Sequence, residues 1–248
     1  MEGRLTALRY DIELTILMPC LNEQETICAC IIDAQSFIKR NALTAEVLIA
    51  DNGSTDASAY LAEQLGARVV SISQKGYGNA LKGGIEKAKG RYVIMGDCDR
   101  SYDFSKLEGF LATLREGNDL VIGNRFAGGI QKGAMPISHR YFGVPLLSLV
   151  GRLVYRVTIG DFHCGLRGFS REAYLNLNIK SDGMEFASEM IGAFAKKHLK
   201  IVEIPTILRK DGRNGRPHLR TVRDGMRHII LLLKAASNYN YKDGERTT

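Results

Sequence analysis

Four short apolar runs, each followed by a helical stretch, narrow the folds open to this chain more than any other feature. They are Leu14-Thr15-Ile16-Leu17-Met18-Pro19, Ala45 to Ala50, Ala67 to Ile72 and Tyr92-Val93-Ile94-Met95. Runs with so little alternation suit parallel strands covered on both faces. A helix is expected from Asn22 to Lys39, with Ile27, Ile31, Ile32 and Ile38 on its inward face. A second runs to Gln64 after a turn at Asp51-Asn52-Gly53-Ser54-Thr55-Asp56, where Ser54 or Thr55 serves as the cap. A third follows Gly76-Tyr77-Gly78-Asn79-Ala80 and reaches Lys89, and a fourth from Phe104 to Arg115 leads to a strand at Asp119 to Ile122. The alternation predicts a doubly wound α/β fold with a mainly parallel sheet over Leu14 to Gly123. In such sheets ligands lie beyond the carboxyl ends of the strands.

The fourth run ends in Gly96-Asp97-Cys98-Asp99. Two neighbouring carboxylates repel unless a cation joins them. A divalent ion there can bridge to a diphosphate, and Mg²⁺ accepts both kinds of oxygen. The plain alternative is a solvated acidic turn. Neither the glycine fingerprint of dinucleotide-binding folds nor a Walker A sequence is present.

With 248 residues the chain is read as a single domain. Residues 14–123 form its nucleotide-binding half, 124–233 an acceptor-side half of helices and an edge strand, and 234–248 a tail. A net charge of +7 fits anionic partners such as nucleotides, phosphate esters or lipid head groups. The basic cluster is confined to one loop and helix and carries no nucleic-acid motif, so nucleic acid is not among the expected partners. Five scattered cysteines without CxxC spacing point to a reducing, cytoplasmic compartment, including the cytoplasmic face of a membrane.

In the second half, Arg125 in Gly123-Asn124-Arg125-Phe126 suits either a phosphate or a structural salt bridge. From Ile137 to Val157 the pattern is helical with a broad apolar stripe, and Pro145 predicts a break or kink. The stripe fits a core, a homodimer contact, or peripheral contact with a membrane carrying a lipid-linked acceptor. Asp161 and Arg167 are either site residues or a buried ion pair with each other. A helix from Gly183 to Lys197 carries Glu185, and Ile201 to Pro205 reads as an edge strand. Arg209 to His228 holds seven Lys or Arg against two Asp. Its first part reads as a loop able to fold over a diphosphate.

Taken in order, these motifs resemble the family 2 glycosyltransferases of the GT-A fold, and within them the polyprenyl-phosphate branch. The resemblance runs from about Leu14 to Leu233 and rests on Pro19-Cys20-Leu21-Asn22-Glu23, the Asp51 turn, the Gly76 segment, Asp97-Cys98-Asp99, Gly123 to Phe126, Asp161 to Arg167 and Glu185. Asn52 stands where the family commonly has a second Asp. The resemblance implies metal-dependent, inverting transfer of one sugar from a UDP- or GDP-linked donor, with Mg²⁺ or Mn²⁺ as cofactor. Asp51 would hold the base, together with the backbone near Pro19 and Leu21. Glu23 would lie by the ribose, with Gly76 and Cys98 lining the donor. Asp97 would contact nucleotide or sugar, Asp99 would ligate the metal, and Ser101 would be a weaker ligand where relatives carry Gln. Arg125, Arg209 and Arg213 would face phosphates. A polyprenyl phosphate needs no base, whereas a hydroxyl acceptor needs one, and Asp161 and Glu185 are then the candidates. A non-catalytic nucleotide-binding protein is the remaining alternative. The absence of Trp argues against a cellulose- or chitin-synthase type of enzyme.

Overall fold

A computed structural model of the chain describes residues 10–213 and 221–244, with side chains of the last helix described for 225–237. The order is β1 (Ile12–Cys20), α1 (Ile27–Arg40), β2 (Ala45–Asp51), α2 (Ser58–Gln64), β3 (Arg68–Ser71), α3 (Tyr77–Lys87), β4 (Gly90–Met95), α4 (Glu108–Arg115), β5 (Leu120–Asn124) and α5 (Arg125–Gly128). Then come a π-turn at His139–Gly143, α6 (Val144–Tyr155), β6 (Arg167–Ser170), α7 (Arg171–Leu175), α8 (Phe186–Lys196), β7 (Ile201–Pro205) and α9 (Thr221–Gly244).

Seven strands form one sheet in the order β3-β2-β1-β4-β6-β5-β7. The chain winds outward from β1 through β2 to β3, then returns to place β4 on the other side of β1. All the pairings are parallel except those of β6, which runs antiparallel between β4 and β5. The switch in winding direction falls between β1 and β4, where such sheets bind ligands. The expected doubly wound, mainly parallel sheet is thus present, and β7 is indeed an edge strand.

Strand β6 was not expected. Arg167–Ser170 looks polar at its start, yet Arg167, Gly168 and Phe169 are buried. Burial of the arginine is possible because backbone carbonyls take its charge, as described below.

Several helices begin later than the pattern predicts. The segment Asn22 to Gln24 stays outside α1 because its polar groups are engaged by the Asp51 turn. Ser54 and Ser58 hydroxyls accept from the Asn22 and Glu23 amides, at 2.9 and 2.7 Å, and Asn22 Oδ1 accepts from the Thr55 amide at 2.8 Å. Neither Ser54 nor Thr55 caps α2, since both face this neighbouring loop. Pro145 sits in the first turn of α6, and the irregularity it announces is the π-turn just before it.

Gly83 and Gly84 allow α3 to lie close on the sheet. A Cβ at Gly83 would come within 2.6 Å of Ile72, and one at Gly84 within 2.7 Å of Leu17. Helix packing, not ligand contact, accounts for this pair. Helix α9 continues through Gly244, so the segment read as a tail from residue 234 begins inside a helix. Residues 214–220, part of the expected basic loop, and 245–248 lie outside the described residues.

Candidate active site

The carboxyl ends of β1, β2 and β4 bring three carboxylates to one edge. Asp51 ends β2 and is buried; its oxygens accept from the Gly53 and Ser54 amides at 3.1 and 3.2 Å, closing its own turn. Asn52, beside it, does what an aspartate cannot. Its amide nitrogen donates to the Ile72 and Gln74 carbonyls at 3.0 and 2.8 Å, while its oxygen accepts from the Gly76 amide at 2.8 Å. An ionised Asp only accepts, so two carbonyls would lose their donor. The departure at Asn52 therefore fixes the loop ahead of α3.

Asp97 and Asp99 follow β4. Asp97 accepts from the Tyr77 hydroxyl at 2.9 Å, which ties it to the first turn of α3. Burial, then the nearby Asp99, pushes its carboxyl up to about 6. Asp99 Oδ1 accepts from the Ser101 amide at 2.9 Å. Arg100 between them has a φ of 67°, a left-handed conformation that costs a non-glycine residue energy and occurs disproportionately at functional sites.

One guanidinium lies across this acidic edge. Arg213 Nη1 meets Glu23 at 2.9 Å, Nη2 meets Asp99 at 3.3 Å, and the same group pairs with Asp211. Glu23 is buried, and burial raises its carboxyl to about 7 despite the facing Arg213, with Asp99 adding to the rise. The strand-like pairing of Arg209 N with Ser101 O at 2.9 Å and Gly212 N with Asp99 O at 2.8 Å lays residues 209–212 along the Asp99 loop. Arg209 itself pairs with Asp103. The carboxylates thus attract a positive group where a divalent cation is expected, and the raised proton affinity of Asp97 beside Asp99 marks charge that such an ion would offset. No group of three or more His, Cys, Asp or Glu side chains gathers for a metal among the described residues, but an ion bound together with a diphosphate needs only one or two carboxylates, which Asp97 and Asp99 offer.

Two other expected donor contacts are used differently. Gly76 has a φ of 129°, and a Cβ there would fall 2.2 Å from the Asp182 carbonyl oxygen, so this glycine serves a close approach of the protein's own backbone. The Cys98 side chain is buried and donates to the Pro19 carbonyl at 3.1 Å, joining the ends of β1 and β4 and not facing a ligand. Leu21 is half-buried next to the same turn.

On the far side the expected pairing is corrected. Asp161 pairs with Arg125, not Arg167. Its carboxylate accepts from Arg125 Nε at 2.7 Å, Nη2 at 2.8 Å and the Arg125 amide at 3.1 Å, and from the His163 amide at 3.3 Å. A carboxylate offers about four acceptor positions, and these donors use them. Asp161 is fully buried, with its acceptor positions engaged by the protein's own donors. Of the two roles open to Arg125, the structure shows the salt bridge. Arg167 is also fully buried and donates to the carbonyls of Phe162, Cys164 and Ala187 at 2.7, 2.9 and 2.6 Å.

Glu203 on β7 was missed in the sequence. It accepts from the Gly160 and Asp161 amides at 2.7 and 2.8 Å and so sets the turn that presents Asp161. An acidic residue in the middle of an apolar edge strand was its only signal. Arg227 on α9 is a second such residue, pairing with Glu185 at 2.6 Å and with Asp182. The other oxygen of Glu185, Oε2, is buried without a hydrogen-bond partner among the described residues.

A mainly parallel sheet that switches direction beside acidic residues at the ends of β2 and β4 is the arrangement of the GT-A fold. Residues 15–177 match the family model for glycosyl transferase family 2, and the chain belongs to that family. It is 38% identical over 227 residues to the low-salt glycan biosynthesis hexosyltransferase Agl6 of Haloferax volcanii, covering 91% of this chain and 54% of that protein. The chain therefore spans about half the length of that relative. Glycosyltransferase AglJ of the same organism is 35% identical over 228 residues, with 91% of this chain and 72% of the relative covered. A dolichyl-phosphate hexose transferase from that organism is 27% identical over 201 residues, 81% of this chain and 84% of the relative. Among solved structures, glucosyl-3-phosphoglycerate synthase from Mycobacterium tuberculosis, in complex with Mn²⁺, UDP and glucosyl-3-phosphoglycerate, aligns with a TM-score of 0.73. That alignment has 23% identity and covers 91% of this chain and 80% of the synthase, a likeness of fold.

Proposed function

We propose that the chain transfers one hexose from a UDP- or GDP-linked donor to a polyprenyl phosphate, with inversion at the anomeric carbon. The observation that carries this reading is the acidic edge, where Glu23 and Asp99 pair with the Arg213 guanidinium and the buried Asp97 stands beside Asp99. It is a place built for positive charge at the carboxyl ends of the strands. Asp51 accepts from the base, Glu23 lies by the ribose, and Asp97 and Asp99, with the Ser101 hydroxyl as a weaker donor, hold Mg²⁺ or Mn²⁺. The ion screens charge that grows on the leaving diphosphate. Arg213 and Arg209 face the phosphates from the loop over the site.

In the transfer, an acceptor phosphate oxygen forms a bond to the anomeric carbon as the bond from that carbon to the donor's diphosphate oxygen breaks. The nucleoside diphosphate leaves with the bonding electrons. A phosphate monoester is largely ionised near neutral pH, so it needs orientation and not deprotonation. The saturation of Asp161 is consistent with this. The names of the similar hexosyltransferase and dolichyl-phosphate hexose transferase support the reading.

One observation favours a second acceptor class. Glu185 keeps a buried oxygen without a donor, as a base for a hydroxyl would require. The deciding experiment measures transfer and donor hydrolysis with UDP-glucose and GDP-mannose, with Mg²⁺ or Mn²⁺, with and without a short polyprenyl phosphate in detergent. Product that requires the lipid phosphate supports the first reading and names base and sugar. Donor hydrolysis that the lipid phosphate does not divert moves the acceptor to a hydroxyl. Equal activity in excess chelator overturns the metal assignment.

A further inference from the structure

Helices α6 and α9 pack against one another, and each has two apolar faces. Their inner rows are buried: Ser148, Gly151 and Tyr155 on α6, and His228, Leu232 and Ala235 on α9. The contact at α6 is close, since a Cβ on Gly151 would lie 2.6 Å from the Phe162 ring. Their outer rows are as apolar as the inner ones, and they face solvent. Phe142 in the preceding π-turn and Leu146 and Leu153 on α6 are 73%, 61% and 72% exposed, and Ile230 and Leu233 on α9 are 46% and 65% exposed. Large apolar side chains exposed on two helices that pack together mark an interaction surface.

The charges around the patch choose the partner. From Phe126 to Gly160 the sequence has no Asp or Glu, and Lys132, Arg140, Arg152 and Arg156 are its charged residues. Residues 225–237 of α9 also carry no acid, and Lys234 is their exposed cation, Arg227 being paired with Glu185 and Asp182. Arg140 lies over the Tyr141 ring at 5.5 Å, a cation and an aromatic side by side at the rim. A second copy of the chain meeting this face about a two-fold axis would bring the same cations opposite each other. An anionic bilayer takes both features at once: apolar side chains enter the acyl boundary while Lys and Arg meet lipid phosphates. No helix among the described residues is long and apolar enough to cross a membrane, so the contact is lateral.

We propose that the outer faces of α6 and α9 form one docking surface for an anionic lipid bilayer. It stands whether or not the sugar acceptor is a lipid phosphate, because it is read from a surface apart from the carboxylate edge.

The test is flotation of the full chain with vesicles of phosphatidylcholine alone and of phosphatidylcholine mixed with phosphatidylglycerol, at low and high salt. Mass in solution is measured alongside by light scattering. Binding is expected on the anionic vesicles and is expected to weaken in high salt. Phe142→Asp with Leu153→Asp removes apolar contacts, and Arg152→Glu with Arg156→Glu reverses the rim. Each pair is expected to lower partitioning about tenfold or more while metal-dependent donor hydrolysis is kept. These side chains are exposed, and a near-wild-type melting curve confirms folded variants. Absence of binding to anionic vesicles overturns the proposal. So does a wild-type dimer that Phe142→Asp with Leu153→Asp converts to monomer, which would assign the face to a second copy. Vesicle binding without transfer to polyprenyl phosphate would keep this surface and reject the acceptor reading alone.

Discussion

The two halves of the molecule treat buried charge in opposite ways. On the acceptor side, Asp161 has its four acceptor positions used and Arg167 donates to three carbonyls. Those charges are closed on themselves and serve the fold. On the donor side, Asp97 and Glu23 hold their protons to about 6 and about 7 because burial leaves their charge under-compensated. Arg213 offsets part of this from a loop that reaches in from far along the sequence. The Arg125–Asp161 pair and Arg167 are scaffold, whereas the carboxylates at the ends of the strands keep an excess of negative charge that suits a cation from outside.

The contrast breaks most sharply at Asp99. Asp99→Ala is expected to lower transfer about a thousandfold, the scale of losing a main electrostatic contact to the developing charge. Its melting temperature should stay near wild type, since the residue stands in an edge loop. Full transfer in the variant would mean that the acidic edge is not where the diphosphate is handled.

The next largest effect is expected across the sheet. Asp161→Ala leaves Arg125 buried without its partner, which costs about 3–5 kcal/mol. Urea unfolding measures it. Replacing both partners by apolar residues, Arg125→Met with Asp161→Leu, should recover a large part of the loss, as a buried pair often can be replaced. A stable Asp161→Ala that has lost transfer would instead move Asp161 into the chemistry and erase the distinction between the halves.

The donor side was the more legible in sequence, and the reason is local. Runs such as Leu14 to Met18 and Tyr92 to Met95 give strands by composition alone, and Asp51, Asp97 and Asp99 stand directly after them. Position relative to a strand end suffices there. The acceptor side depends on partners far away in the chain. Nothing near Asp161 says that its cation is Arg125, 36 residues earlier, in place of Arg167, six residues later. Glu203 acts on a turn 42 residues before it. Strand β6 hid for a related cause: its buried arginine looks polar until the carbonyls that receive it are known. Gly76 and Cys98 belonged to the right motifs, yet their roles depend on what presses against them, the Asp182 backbone and the Pro19 carbonyl.

Arg213 sharpens the comparison, since it reaches the Glu23 and Asp99 edge from the later part of the chain. If its guanidinium stands in for an external cation, Arg213→Ala should bind Mn²⁺ more tightly in the absence of donor, read by the loss of the free-ion paramagnetic resonance signal. The same variant should bind the donor about tenfold more weakly, through loss of a charged contact to the diphosphate. Unchanged Mn²⁺ affinity together with unchanged donor affinity would make Arg213 another closed structural charge like Arg125.

The smallest effect concerns stability without metal. Asp97 and Glu23 have folded-state proton affinities above those of free carboxylates, which titrate near pH 4. Between about pH 4 and pH 7 the folded chain therefore binds more protons than the unfolded chain at these two positions. Linkage then requires their contribution to stability to fall as pH rises through that window, the reverse of an ordinary salt-bridged aspartate. Asp97→Asn removes one of the two titrating groups and keeps a side chain able to accept from Tyr77. In chelator at neutral pH it should melt about 2–4 °C above wild type, with the gap closing below pH 5. Mn²⁺ should narrow the gap from the other side, because the wild-type carboxylate then gains the cation it lacks. A wild-type melting temperature that rises steadily from pH 5 to pH 7 in chelator, with Asp97→Asn below it throughout, would show that the donor half has settled its charges as fully as the acceptor half.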